Sequence, residues 1–311
     1  MKAEIDYSSL LSEIHSEIRP MLGSGEVADY IPALSRIDPK KFSMAVQTID
    51  GKLYHTGDSN ENFSIQSISK VFTLTLALKL GGESIWDRVG REPSGNAFNS
   101  LIQLEYEQGV PRNPFINAGA LVVSDHIITC TGSKEAAKSA ILEFMQTECC
   151  HKRIQFDPEV ADSEKITGYR NAAMANFLKS FNRLNNDVED VLDVYFHQCS
   201  VAMNCIDLCN SSLFLANRGV SLVTGQKIVS PQKAKRINSV MLTCGLYDAV
   251  GDFAFHVGLP AKSGVGGGII AVVPNEMVIC VWSPPLNPSG NSCAGTEALE
   301  LFTNKTECSI F

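Results

Sequence analysis

Apolar positions recur at helical spacing through most of the middle of this chain and give way to β-branched runs nearer its ends. The windows 119–130, 133–147, 164–182, 186–198, 201–216 and 231–243 each carry the 3.6-residue period of an amphipathic helix. Helices are also expected over 6–21 and near 293–303. Met44 to Ile49 and Lys52 to His55 flank Asp50-Gly51 and read as two strands joined by a tight turn. Strand character returns from Lys262 to Val273, turns at Pro274-Asn275-Glu276, and continues from Met277 to Trp282. This pattern predicts an α/β (α+β) fold in which an antiparallel sheet, flanked by helices, draws strands from both ends of the sequence around an inserted all-helical lobe. One unit over 1–311 is expected, with 1–83 plus 241–311 as the sheet lobe and 84–240 as the helical lobe. A cleft between lobes is the natural place for a site.

Composition narrows the classes. A chain of 311 residues that is 44% hydrophobic can bury a large core, as an ordinary soluble globular protein does. Its formal charge of -8, with no Lys/Arg cluster, argues against nucleic acid and against an anionic membrane surface. No apolar run reaches membrane-spanning length, and the acid-interrupted first residues do not read as a signal peptide. The ten cysteines are scattered without a Cys-x-x-Cys pair, so no metal site is expected. Several, Cys130, Cys244 and Cys280 among them, lie in apolar segments, and the expected state is reduced, mostly buried thiols in a cytoplasmic protein. The terminal Cys308-Ser309-Ile310-Phe311 has a serine where a prenylation box needs an aliphatic residue.

Candidate chemistry centres on Gln66-Ser67-Ile68-Ser69-Lys70, at the start of an apolar helical run that stops at Gly81-Gly82. A serine three residues before a lysine on a helix lets an amine take the hydroxyl's proton, and a helix start offers backbone N–H groups to an oxyanion. Such a composition yields roughly one or two Ser-x-x-Lys matches by chance. One is Ser230-Pro231-Gln232-Lys233, which reads as a helix N-cap followed by proline at the first helical position. What separates Ser67 is the distant Lys262-Ser263-Gly264, because Ser-x-x-Lys followed by Lys-Ser/Thr-Gly is the wiring of acyl-serine enzymes. The run Gly264-Val265-Gly266-Gly267-Gly268 leads into a strand and so marks close backbone approach, not a phosphate loop. His197 and Cys199, two apart on a helix, face different ways and read as packing residues.

Seven segments then occur in one family's order. They are Asp29-Tyr30-Ile31-Pro32; Gln66 to Lys70; Asn113-Pro114-Phe115-Ile116-Asn117-Ala118-Gly119-Ala120; Glu164 with Tyr169-Arg170-Asn171; Tyr195-Phe196-His197-Gln198-Cys199-Ser200; Cys244-Gly245-Leu246-Tyr247-Asp248; and Gly258-Leu259-Pro260-Ala261-Lys262-Ser263-Gly264-Val265. Spanning about residues 25 to 290, they make the chain resemble the serine-dependent glutaminases of compact bacterial type, with a β-lactamase/penicillin-binding-protein-like (transpeptidase-like) fold.

The resemblance implies hydrolysis of the L-glutamine side-chain amide to L-glutamate and ammonia, with no cofactor and no metal, by a homo-oligomer, tetramer or dimer. It implies Ser67 as nucleophile, Lys70 as base beside Lys262, Tyr30 and Tyr247 as proton relays, and the N–H of Val265 with that of Ser67 as the oxyanion hole. Gln66, Asn117, Glu164, Asn171, Tyr195 and Tyr247 join Ser67 and Val265 around the substrate, Glu164 for the ammonium and the neutral donors for the carboxylate. Glu164 and Asn171, two turns apart, are expected on one face of one helix. A β-lactamase-like or peptidase-like acyl-serine hydrolase and a catalytically silent relative are the alternatives that the Ser-x-x-Lys and Lys-Ser-Gly pair leaves open.

Overall fold

The computed structural model describes residues 5–94 and 101–311; residues 1–4 and 95–100, which fall within the expected sheet and helical lobes, lie outside the described residues. The strands are β1 (Ser43–Thr48), β2 (Leu53–Gly57), β3 (Phe63–Ser64), β4 (Gln155–Phe156), β5 (Val201–Met203), β6 (Ala261–Ser263), β7 (Gly268–Val273) and β8 (Met277–Trp282). The helices are α1 (Tyr7–Ile18), α2 (Ser69–Leu80), α3 (Leu101–Tyr106), α4 (Asn117–Thr131), α5 (Lys134–Glu148), α6 (Pro158–Thr167), α7 (Tyr169–Ser180), α8 (Val188–Cys199), α9 (Cys205–Ser212), α10 (Pro231–Cys244), α11 (Val250–His256) and α12 (Cys293–Thr306).

Strand order β2-β1-β8-β7-β6, antiparallel at every step, joins strands from both ends of the sequence as the pattern predicts. Alternation sorts the two faces. Met44, Val46, Ile269, Ala271, Ile279 and Val281 pack with Leu11 and Ile14 of α1 and Phe302 of α12. Ala45, Ile270, Val272, Val278 and Cys280 face the opposite way, into the larger core built from α2, α4, α5, α8, α9 and α10. Both faces are therefore covered, which is why β7 and β8 read as continuous apolar runs instead of alternating ones.

Four expectations are corrected. The single helix over 164–182 is two, because α6 starts earlier on an Asp157 cap and chain direction changes at Gly168. A Cβ at Gly168 would lie 2.5 Å from the Glu164 carbonyl oxygen and 2.6 Å from the Phe196 ring, so the break lets the chain hug α8. The helix expected over 201–216 begins as strand β5, pairing with β3 and β4, before the Asn204 side chain caps α9 by accepting from Asp207 N at 2.9 Å. The strand expected from Lys262 to Val273 is a hairpin, β6 and β7, turning through the glycine run. Ser67 sits in a 3-10 turn, Gln66–Ile68, directly ahead of α2, not within its first α-helical turn. Ser230 does cap α10, its Oγ accepting from Lys233 N at 3.2 Å. All ten thiols are unbridged; Cys244 and Cys280 are buried, whereas Cys130 is exposed. No helix among the described residues is long and apolar enough to cross a membrane.

Candidate active site

Two tight backbone approaches hold the Ser67 turn. Ile65 N donates to Val201 O at 2.9 Å, tying the turn to β5. On the other side the glycine hairpin lies so close that a Cβ on Gly264 would be 2.4 Å from Ile65 O, and one on Gly266 would be 2.2 Å from Ser64 O. Trp282, fully buried in β8, stacks on Phe63 at 4.8 Å and donates from Nε1 to Gly266 O at 3.0 Å, clamping hairpin and turn together. Gln66, at φ 49°, occupies the left-handed region that non-glycine residues rarely adopt. Its Nε2 donates to Ser64 Oγ at 3.0 Å, which itself donates to Cys199 O at 2.9 Å. The turn thereby carries Ser67, almost fully buried, against the backbone of Gly264.

Both lysines are buried, and neither forms an ion pair with a carboxylate among the described residues. Lys70 Nζ donates to Phe115 O at 3.1 Å and Asn117 Oδ1 at 2.7 Å, and burial lowers its pKa to about 8. The Phe115 carbonyl is held in place by Asn113, whose Oδ1 accepts from the N–H groups of Phe115 and Ile116 at 3.0 Å each. Lys262 is held well below the ordinary lysine value by burial first and the nearby Lys70 charge second. Its Nζ donates to Ser263 O and lies 4.6 Å from the Tyr247 ring centroid. Tyr247 is a second non-glycine residue at positive φ, 57°, and its hydroxyl faces those of Ser67 and Ser263. Burial pushes that phenol up to about 12.

A cleft of ≈ 530 Å³ opens over the turn, lined by Tyr30, Gln66, Ser67, Asn117, Glu164, Asn171, Tyr195, Cys199 and Val265 among others. Eight of the expected residues therefore share one cavity, while Lys70 touches Asn117 and Tyr247 faces Ser67 from outside its lining, and Lys262 lies beyond them against Tyr247. Asn117 bridges, receiving the Lys70 ammonium and donating from Nδ2 to Asn171 Oδ1 at 3.0 Å. Glu164 and Asn171 both line the cleft from α6 and α7, not from one helical face as expected, because the helix breaks at Gly168 between them. Glu164 is buried beside Gln66, and desolvation raises its carboxyl to about 7. Tyr30 differs from the rest: at 56% exposed it stands at the cleft mouth.

His197 turns away as the sequence suggests, its Nδ1 against Asp193 O at 2.7 Å, but Cys199 does not. Its thiol lines the cleft, one turn along α8 from Tyr195. The i,i+4 spacing from Tyr195 was the available signal; comparing Cys199 only with His197 hides it. Gly168 and Arg170, also cleft-lining, carried no such signal.

A family model described as Glutaminase matches residues 25–311. A glutaminase of Rhizobium leguminosarum bv. trifolii (strain WSM2304) is 55% identical over 306 residues, covering 98% of this chain and 99% of the relative. A glutaminase of Agrobacterium fabrum (strain C58 / ATCC 33970) is 53% identical over 306 residues, again with 98% and 99% covered. Among solved structures, a probable glutaminase of Bacillus subtilis matches with TM-score 0.90 at 35% identity, over 99% of this chain and 98% of that one. The probable glutaminase from Bacillus subtilis complexed with 6-diazo-5-oxo-L-norleucine matches with TM-score 0.89 at 33% identity, over 100% and 99%.

Proposed function

This chain belongs to the glutaminase family, with its β-lactamase-like fold, and is an enzyme that hydrolyses glutamine; from that premise we propose that it works through an acyl-enzyme on Ser67 with Lys70 as the base. Ser67 Oγ attacks the side-chain amide carbon of L-glutamine while its proton passes to Lys70. Burial, which lowers Lys70 to about 8, makes the required neutral amine accessible near neutral pH. The oxyanion is taken by the N–H groups of Ser67 and Val265, a type of donor that contributes roughly 3 kcal/mol to the transition state. Tyr247, whose hydroxyl faces Ser67, and Tyr30 at the mouth pass a proton to the amide nitrogen, and ammonia leaves. Water then cleaves the glutamyl ester, and L-glutamate is released.

Lys262, buried and held well below the ordinary lysine value by burial and by the Lys70 charge, stands beside the proposed base as a second amine in the same pocket. In our reading Glu164 pairs with the substrate α-ammonium, while Asn117, Asn171 and Tyr195 donate to its α-carboxylate and Gln66 orients Glu164. The observation that carries this reading is the single cleft in which a turn-borne serine, a carboxylate and neutral amide donors line one wall with two buried lysines behind it. The relative complexed with 6-diazo-5-oxo-L-norleucine supports an L-α-amino acid as the shape of the ligand.

Ammonia and glutamate release from L-glutamine, measured in the parent and in Ser67→Ala, tests the mechanism. Turnover is expected in the parent and absent in a folded variant; equal turnover in both would remove Ser67 as nucleophile. We keep the division into a 1–83 plus 241–311 lobe and an 84–240 lobe as our reading, supported by the sheet's two-ended origin. A cytoplasmic location is likewise our reading, supported by the ten unbridged thiols and checked by cell fractionation.

A further inference from the structure

Between the Ser67 turn and the far wall of the cleft lies a short line of polar groups that the reaction sequence above does not use. Ser69, two residues after Ser67, is fully buried, and its Oγ has no hydrogen-bond partner among the described residues. Cys199 lies within electrostatic reach of Ser69 on one side and of Tyr195 on the other. Cys199 and Tyr195 are both buried, stand one turn apart on the same face of α8, and both line the cleft. Tyr195 is further confined by Lys70, whose Nζ lies 5.9 Å from its ring centroid.

We propose that Cys199 is a positioning residue for substrate binding: the Ser69 hydroxyl donates to its sulfur, its S–H donates to Tyr195 Oη, and the Tyr195 proton is left to point at the substrate α-carboxylate. A phenol has a single proton, so giving it to one acceptor denies it to the other. In a buried pocket, an S–H donated to Tyr195 Oη occupies a lone pair and frees that proton for the ligand, while the otherwise unpartnered Ser69 hydroxyl finds an acceptor. The thiol must stay protonated for this, and burial, which pushes it up to about 12, keeps it so. Cys199 would therefore act on substrate affinity and leave the bond-breaking steps alone.

The inference rests on Tyr195 contacting the substrate carboxylate, and the test separates the two. Cys199→Ala, Cys199→Ser and Tyr195→Phe are assayed for kcat and KM with L-glutamine, alongside thermal unfolding. Cys199→Ala is expected to raise KM roughly five-fold, the loss of one modest hydrogen bond, with kcat within about two-fold of the parent. Cys199→Ser, which keeps a donor and an acceptor, is expected to return KM to near the parent value. If Tyr195→Phe raises KM and Cys199→Ala does not, the positioning role is wrong and the substrate contact stands. If Tyr195→Phe leaves KM unchanged, the contact itself is wrong and the inference falls with it. A Cys199→Ala variant that loses kcat and stability together, without rescue by serine, would mark Cys199 as packing only.

Discussion

Burial acts on Glu164 and Lys70 in opposite directions, lifting the carboxyl to about 7 and lowering the amine to about 8. Both shifts disfavour the charged form, yet the proposed chemistry needs Glu164 charged and Lys70 neutral. Rising pH supplies both, so kcat/KM for glutamine is expected to climb between about pH 6 and 8.5. An activity that falls over that range would contradict both assignments. The folded carboxyl keeps its proton up to about 7 where the unfolded one releases it near 4.5, so the folded state binds more protons in between. Stability contributed by Glu164 is thus complete below about 4.5 and is lost as pH rises through about 7. Glu164→Gln removes that loss: the ligand-free variant is expected to gain on the order of 1–3 kcal/mol at about pH 8 and little at about pH 5. The same variant should weaken glutamine binding at least ~10-fold, through the lost charged partner. Thermal melts of parent and variant at both pH values decide it, an equal shift at each being the contrary result.

At the level of elements, the Ser67 turn is shaped by what is pressed against it. Gln66 holds a left-handed backbone because β5 fastens one side and the β6–β7 hairpin the other. A Cβ at Gly264 would meet Ile65 O at 2.4 Å and Ser67 N at 3.2 Å, both backbone atoms that cannot swing aside. Gly264→Ala is therefore expected to displace the Ser67 turn and, under the proposed mechanism, to cut kcat by ~100-fold or more. Val265→Ala, one residue on, alters only a side chain where the proposed mechanism uses the backbone N–H, and should keep kcat within about three-fold. Steady-state kinetics on the pair checks the contrast; a large loss in a folded Val265→Ala would contradict the backbone role.

Across the whole molecule, the sheet serves the site by proximity of chain ends. β1 from the first fifth of the sequence pairs with β8 from the last, and Trp282 at the end of β8 transmits that pairing to the turn through Phe63 and Gly266. The helices on the other side supply cleft-lining groups from α4, α6, α7 and α8, so neither half of the chain forms the cleft alone. We read the protein as a homo-oligomer, dimer or tetramer, as its family resemblance implies. Light scattering of the purified protein is expected to give a multiple of 33.8 kDa, and a single chain mass at micromolar concentration would end that reading.

Local pattern was enough for the sheet strands near both ends, most helices, the Ser230 cap and the Ser-x-x-Lys with its distant Lys-Ser-Gly, while the residues that line the cleft were legible only through the resemblance to a family. Those features depend on neighbours a few residues away: periodicity, capping chemistry, and motifs whose order the chain preserves. Tertiary contact decided the rest. Val201 to Met203 have helical periodicity yet pair as a strand, because β3 and β4 offer ladder partners that no local window contains. The break at Gly168 answers to Phe196 on another helix, and the Ser67 turn leaves α-helical geometry because a glycine hairpin nearly 200 residues later lies against it. The ionisation of Lys70 and Glu164, and the place of Cys199 beside Tyr195 in the cleft, follow from burial, a property of the assembled core that a one-dimensional pattern does not carry.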